Sequence, residues 1–217
     1  MTAILRVDPS DVHSRLAELG LEEEPLCDVV RRGYLAFITC TANHPRLIPG
    51  IWAWGETVRA LREYTLPIGW SRSDDNNYSV VIDPGRRVAV AVATGDEGTG
   101  RIDATPSTKA PKGPSTNNAI IINQLQLSLF AEAEPEPPPV SADDSADERV
   151  TWILLIRRTA GEVRCELSLP YSMGIDGHID DWRERILLGS VQLDGDLIEI
   201  APPPTQPDIT IDVKRRA

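Results

Sequence analysis

Residues 131–148, AEAEPEPPPVSADDSADE, hold seven acidic side chains, four prolines and no basic residue, and few packed elements can be built from such a stretch. Proline lacks the backbone donor that helices and sheet ladders use, and closely spaced like charges repel in any compact form. The tract therefore reads as a disordered acidic, proline-rich insertion between a first part, 1–130, and a second, 149–217. It also explains most of the net charge: of the −11 carried by the 217-residue chain, only −4 lies elsewhere. An acidity lodged in a spacer describes a solvated linker rather than a chain that mimics or avoids DNA.

The first part opens with helical spacing. Asp8-Pro9 predicts an N-cap followed by proline in the first turn, with Val12, Leu16 and Leu19 on one face and Gly20 as the stop. Pro25 begins a second expected helix with Leu26, Val29, Val30, Tyr34, Phe37 and Ile38 on a broad apolar side. A third is expected from Ile51 to Leu66, where Ile51, Trp54, Val58, Leu61 and Thr65 form the stripe and Glu56, Arg59 and Glu63 the outer face. The period then shortens. Tyr78–Ile82 and Arg87–Ala93 are β-branched runs joined by Asp83-Pro84-Gly85-Arg86, a hairpin turn in which proline and glycine preset the corners. Residues 101–118 read as an irregular excursion.

Beyond the insertion, Val150–Arg158 and Val163–Leu169 flank Thr159-Ala160-Gly161-Glu162 as a second expected hairpin, ended by Pro170. Ile179–Ile186 reads as a helical turn or a strand entry, 192–200 as a stretch with an Asp-Gly turn at 194 and 195, and 208–213 as a final alternating strand. About seventy residues are marginal for an independent core, so the second part is expected to complete the sheet begun by the first. The fold class is thus α+β: N-terminal helices followed by a mainly antiparallel sheet.

With 41% hydrophobic residues the chain can bury an ordinary core. Its longest apolar runs, such as Val88–Ala93 and Trp152–Ile156, fall far below the roughly twenty residues of a membrane span. The opening MTAILRVDPSD meets an acid and a proline before any hydrophobic region develops, which does not read as a signal peptide; cytoplasmic residence is the expectation. Cys27, Cys40 and Cys165 are odd in number and form no CxxC pair, as buried free thiols would.

Three stretches carry candidate chemistry. In Thr94–Gly100, TGDEGTG, the acids Asp96 and Glu97, with Asp103 beyond, would suit magnesium, for a metal-dependent nuclease or phosphotransferase. The loop lacks the GxxxxGK[ST] phosphate cradle, and Gly98-Thr99 follows Glu97 where a restriction-type nuclease core has x-Lys, so a plain surface loop is the better reading. Cys40 and His44 stand at thiol–base spacing, but spacing supplies neither geometry nor an orienting group. Trp52, Trp54 and Trp70 beside Arg59, Arg62 and Arg72 would make a weak stacking surface, with Trp54 on the buried stripe and Trp52 the more exposed. Lys109, Lys112 and the basic residues 214–216 would touch phosphates only weakly, so little direct nucleic-acid binding is expected. No catalytic residues and no cofactor are assigned.

Ala119–Phe130 returns to apolar character. Leu125, Leu127 and Leu129 alternate with Gln124, Gln126 and Ser128, the period of a half-buried strand. Within it, Gln126-Leu127-Ser128-Leu129-Phe130 resembles the short peptide, Gln-Leu-Ser/Asp-Leu-Phe, by which many bacterial DNA-handling proteins hold the replication sliding clamp. All five positions match. The resemblance implies a clamp partner, with Gln126 in polar contacts and Leu129 with Phe130 in an apolar pocket. Gly50-Ile51-Trp52-Ala53-Trp54 and Ala93-Thr94-Gly95-Asp96-Glu97 resemble uncharacterised bacterial proteins of mobile-element or defence clusters. That implies other proteins of the same operon as partners, and an alternative role as a structural adaptor.

Overall fold

The computed structural model describes residues 3–85, 87–129 and 149–192. Its elements run β1 (Ile4–Arg6), α1 (Pro9–Glu18), α2 (Glu23–Ile38), α3 (Ile48–Thr65), β2 (Ser71–Ser73), β3 (Val80–Ile82), β4 (Val88–Thr94), α4 (Pro114–Leu129), β5 (Val150–Arg158), β6 (Glu162–Met173), β7 (Ile179–Leu187) and β8 (Val191–Gln192). The fold is α+β, with an N-terminal helical region and a mostly antiparallel mixed sheet. The expected turn at 194–195 and the strand at 208–213 lie outside the described residues, as does the acidic tract.

Local chemistry sets the first helix. Asp8 Oδ1 accepts from the backbone N–H of Ser10 at 2.9 Å and of Asp11 at 3.4 Å, and Pro9 opens the first turn. At the other end Gly20 adopts φ +70°, so that its own N–H reaches Ala17 O at 3.0 Å and Leu21 N–H reaches Leu16 O at 2.9 Å. This closure consumes two carbonyls that the helix would otherwise leave without donors.

The sheet order is β1-β7-β6-β5-β4-β3-β2, with β8 pairing β6 off this path. Two pairs are parallel, β1 with β7 and β4 with β5; the rest are antiparallel. β4 and β5 run together from Val88↔Val150 to Thr94↔Ile156, so residues from both sides of the 131–148 tract meet at the centre of one sheet. Every side chain from Thr151 to Ile156 is buried, as a strand covered on both faces requires. Trp152, Leu154 and Ile156 meet Leu16, Leu26, Val29, Val30 and Leu61 of α1–α3. Ile153 and Leu155 point the other way, to Ile120 of α4, Ile179 and Trp182.

The α2–α3 crossing decides which face of α3 is inside. A Cβ on Gly33 would overlap the Thr57 hydroxyl and lie 3.0 Å from Ala53 O, so the two helices approach as closely as they do only because residue 33 is glycine. α3 accordingly turns Ala53, Thr57, Ala60 and Leu61 inward. Val58, Leu61 and Thr65 of the expected stripe are buried, but Ile51 is 58% exposed and Trp54 42%. The small residues take the contact, and the large ones at the start of α3 are displaced outward.

Two expectations need correction. The alternation within 119–130 reads as a strand, but the chain is helical from Pro114 to Leu129, which also shortens the irregular excursion. Pro170 does not end its strand: β6 continues to Met173 through a register shift at Leu169/Pro170. Residues 179–187 are a strand, β7, and not a helical turn. Among the described residues no helix is long and apolar enough to cross a membrane.

Candidate functional site

α4 is held to the sheet by Asn123. Continuing the β5–β6 register places Thr151 opposite Pro170, which has no N–H to donate. The Asn123 carboxamide fills the vacancy. Its Oδ1 accepts from Thr151 N–H at 2.7 Å, and its Nδ2 donates to Thr151 O at 3.0 Å and to Pro170 O at 3.4 Å. A side chain thus completes a ladder that proline interrupts, and Asn123 is fully buried in doing so. Ala119 and Ile120 are buried beside it, and Gln124 Nε2 donates to Tyr171 O at 2.7 Å.

The clamp-like peptide begins two residues after Gln124. Gln126 is half-buried on α4, and Leu127, Ser128 and Leu129 continue the helix to its last residue; Phe130 lies outside the described residues. In a helix, residues four apart share a face and residues two apart do not. Helical spacing therefore does not keep the alternation of a strand. The polar residue that anchors the element, Asn123, is one that strand periodicity left without a role; its place directly after the apolar run Ala119–Ile122 was the available signal.

The acids of the 94–103 loop are each engaged by a neighbour. Asp96 Oδ1 accepts from Gly98 N–H at 2.9 Å, Glu97 Oε1 pairs with Arg157 at 3.0 Å, and both oxygens of Asp103 are taken by Arg101 at 2.8 and 2.6 Å. The Arg101 guanidinium holds the Asp103 carboxyl below its usual range. Each acid has its own partner, and the described residues contain no group of three or more His, Cys, Asp or Glu positioned for a metal ion.

What fixes this loop is a buried ion pair that sequence inspection passed over. Arg185 Nη2 lies 2.6 Å from Glu166 Oε2, with the two side chains 5% and 0% exposed. Both also hold the loop: Glu166 Oε2 accepts from Gly100 N–H at 2.9 Å, and Arg185 donates to Ala104 O at 2.8 Å and Arg101 O at 3.1 Å, while Glu166 Oε1 accepts from Ser168 Oγ at 2.7 Å. Gly100 has φ +70°, and a Cβ there would stand 2.9 Å from that of Arg164. The glycine-rich sequence is thus the shape of a backbone laid against the sheet. Alternation along β6 and β7 conceals the pair, since it sets Glu166 with Arg164 and Ser168, and Arg185 with Arg183, opposite the apolar positions Val163, Cys165, Leu167 and Ile186.

Cys40 and His44 do not form a dyad. Cys40 Sγ points to Ala36 O at 3.8 Å, while His44 Nδ1 accepts from Thr41 N–H at 3.0 Å. Nor do the three tryptophans form a platform: Trp70 is buried, and Trp54 donates its indole N–H to Val92 O at 3.2 Å. Leu47, Ile51 and Trp52, at 74%, 58% and 56% exposure, instead form an apolar surface at the start of α3. The cysteines are free thiols, with Cys27 and Cys165 both directed at Gly189 O.

No protein-family model, no curated protein and no solved structure matches the chain.

Proposed function

We propose that the chain is a non-catalytic bacterial accessory protein, resident in the cytoplasm, that docks on the DNA sliding clamp through Gln126, Leu127, Ser128, Leu129 and Phe130, in replication, repair or foreign-DNA processing. The observation that supports this reading is positional. The bonds that hold α4 to β5 and β6 are made by Asn123 and Gln124, upstream of the peptide, which ends where the acidic tract starts. Peptides of this kind bind in extended form with alternate side chains in pockets, so docking requires the last turn of α4 to unwind. Helix ends open at small cost, and the upstream anchors keep the rest of the element in place. Burying Leu129 and Phe130 contributes about 1.5–3 kcal/mol each, and ordering the peptide offsets a share, which leaves a micromolar affinity.

The test is binding of the purified protein to a bacterial sliding clamp by surface plasmon resonance, beside a Leu129→Ala/Phe130→Ala variant. Micromolar binding that disappears in a variant with native circular dichroism supports the proposal. Clamp binding unchanged by the double substitution, or none in the wild type, ends it.

A second reading, a structural adaptor in a multi-protein system, is favoured by the apolar surface of Leu47, Ile51 and Trp52. Co-purification with the product of a neighbouring gene, lost on Trp52→Glu, supports that alternative.

A further inference from the structure

Beside β4, where β3 has ended and the strand edge passes under α3, a cavity of about 130 Å³ opens between Trp54, Ala91, Ala93, Tyr78, Lys112 and Thr116. A second hollow of about 220 Å³ shares Trp54, Ala93 and Lys112 with it. The walls are unlike each other. Ala91 and Ala93 are the small side chains that leave the space, and Trp54 closes it as an apolar plate fixed by its bond to Val92 O.

The polar wall is incomplete. Tyr78 is half-buried, but its hydroxyl is shut off from solvent and makes no hydrogen bond among the described residues, although Thr116 stands near it. Lys112 is half-buried and makes no side-chain hydrogen bond or ion pair among the described residues. Burial alone pushes its ammonium pKa down, with no carboxylate to oppose it. Native proteins pair nearly all such groups, because an unmatched buried donor or charge costs free energy. Two unmatched donors at one small cavity, one of them cationic, describe a site whose acceptor comes from outside the chain. Asn76 and Asn77, both at positive φ, form the turn that delivers Tyr78 to this wall. Positive φ in consecutive non-glycine residues is strain of the sort that accompanies binding sites.

We propose that this cavity binds a small apolar carboxylate, with its anionic head on Lys112 and Tyr78 and its short tail against Trp54, Ala91 and Ala93. The volume sets the size. An apolar cavity of roughly 150 Å³ admits a benzene ring, so 130 Å³ accommodates a tail of three or four carbons, with the adjoining hollow open to a longer one. An inorganic anion would satisfy Lys112 but leave the alanine wall unfilled. An alkylammonium would place a second cation against the first.

The experiment is a titration of the intact protein with sodium butyrate, followed by the backbone and indole resonances of Trp54 in heteronuclear NMR. Inorganic phosphate, butylammonium and 1-butanol serve as parallel probes. Butyrate should saturate the shifts with a dissociation constant of roughly 1–10 mM, the range open to so small a ligand. Binding should weaken at least about tenfold in Lys112→Met and severalfold in Tyr78→Phe. Lys112→Met removes a half-buried charge that has no counter-charge among the described residues, so the variant should fold and melt no lower than wild type; butyrate should raise the melting temperature of the wild type and not of this variant. Lys112→Gln serves as a second test of the same charge. The proposal is overturned if butyrate produces no saturable shift, if Lys112→Met and Lys112→Gln bind it as the wild type does, or if phosphate or butanol binds as tightly.

Discussion

The two faces of the sheet are covered by opposite means. On one, α1–α3 set leucines and valines against Trp152, Leu154 and Ile156, and close helix packing at Gly33 does the rest. On the other, α4 and the segment 95–113 are fastened by directed polar contacts: Asn123 to Thr151, Glu166 and Arg185 to the 100–104 backbone, Thr108 Oγ1 to Ile179 N–H at 3.0 Å, and the Trp182 indole to Pro106 O at 2.7 Å. A helix satisfies its own backbone and needs only an apolar stripe to bind. An irregular segment brings unpaired N–H and C=O groups with it, and a sheet face can accept it only by supplying partners for them. The cavity at Lys112 and Tyr78 lies on this second face, where polar groups are concentrated.

The contrast is most directly broken at Glu166. Glu166→Ala leaves Arg185 buried without its counter-charge and Gly100 N–H without an acceptor, for an expected loss of about 3–5 kcal/mol in urea unfolding. Amide hydrogen exchange should accelerate across 96–105 well before it does in α1. The double variant Glu166→Leu/Arg185→Met should recover only part of the loss, because the loop carbonyls stay unpaired; full recovery would show that the pair does not hold the loop.

A smaller effect compares one deletion on each face. Leu154→Ala, on the helix side, should cost about 3 kcal/mol through lost burial and a cavity. Asn123→Ala, on the other, should cost about 2–3 kcal/mol because Thr151 N–H and O lose their partner. The two should differ in kind, since Asn123→Ala should selectively loosen α4, read as faster exchange in 115–126. Uniform loosening in both variants would erase the distinction between the faces.

The smallest effect is pH-dependent. Burial pushes the Tyr78 phenol up to about 12, above its ordinary value near 10. The folded state therefore keeps a proton that the unfolded chain gives up. The associated stability is fully present below about pH 10 and declines as pH rises toward 12, by at most about 2–3 kcal/mol. Tyr78→Phe should flatten this decline relative to wild type in urea unfolding series at pH 9 to 11.5.

Much of the helix side was legible in the sequence, because its rules are local. Asp8-Pro9 and Gly20 delimit α1 by capping chemistry alone, and the hairpins β3–β4 and β5–β6 follow from β-branched runs around turn residues. The other side was not, because its determinants lie far apart in the chain. Leu125, Leu127 and Leu129 imitate strand alternation, and only the gap that Pro170 leaves beside Thr151 explains why Asn123 belongs on a helix. Glu166 and Arg185 are separate charges until β6 and β7 pair, and the outward turn of Ile51 depends on Gly33 in another helix. The clamp-like peptide was visible as a string of letters, while the Lys112 cavity needed the fold to bring Tyr78, Trp54 and α4 around one space.

The parallel pairing of β4 with β5 has a consequence for the order of synthesis. A ribosome completes Val88–Thr94 long before it reaches Val150–Ile156, and β1, made first, has its partner β7 made nearly last. Through that interval the inner edge of β4 presents a row of open amides and carbonyls over an apolar surface, a template that any extended chain can pair with. The nascent protein is thus most exposed to misassembly at a strand that ends up central in the sheet, through the interval before the downstream half has emerged.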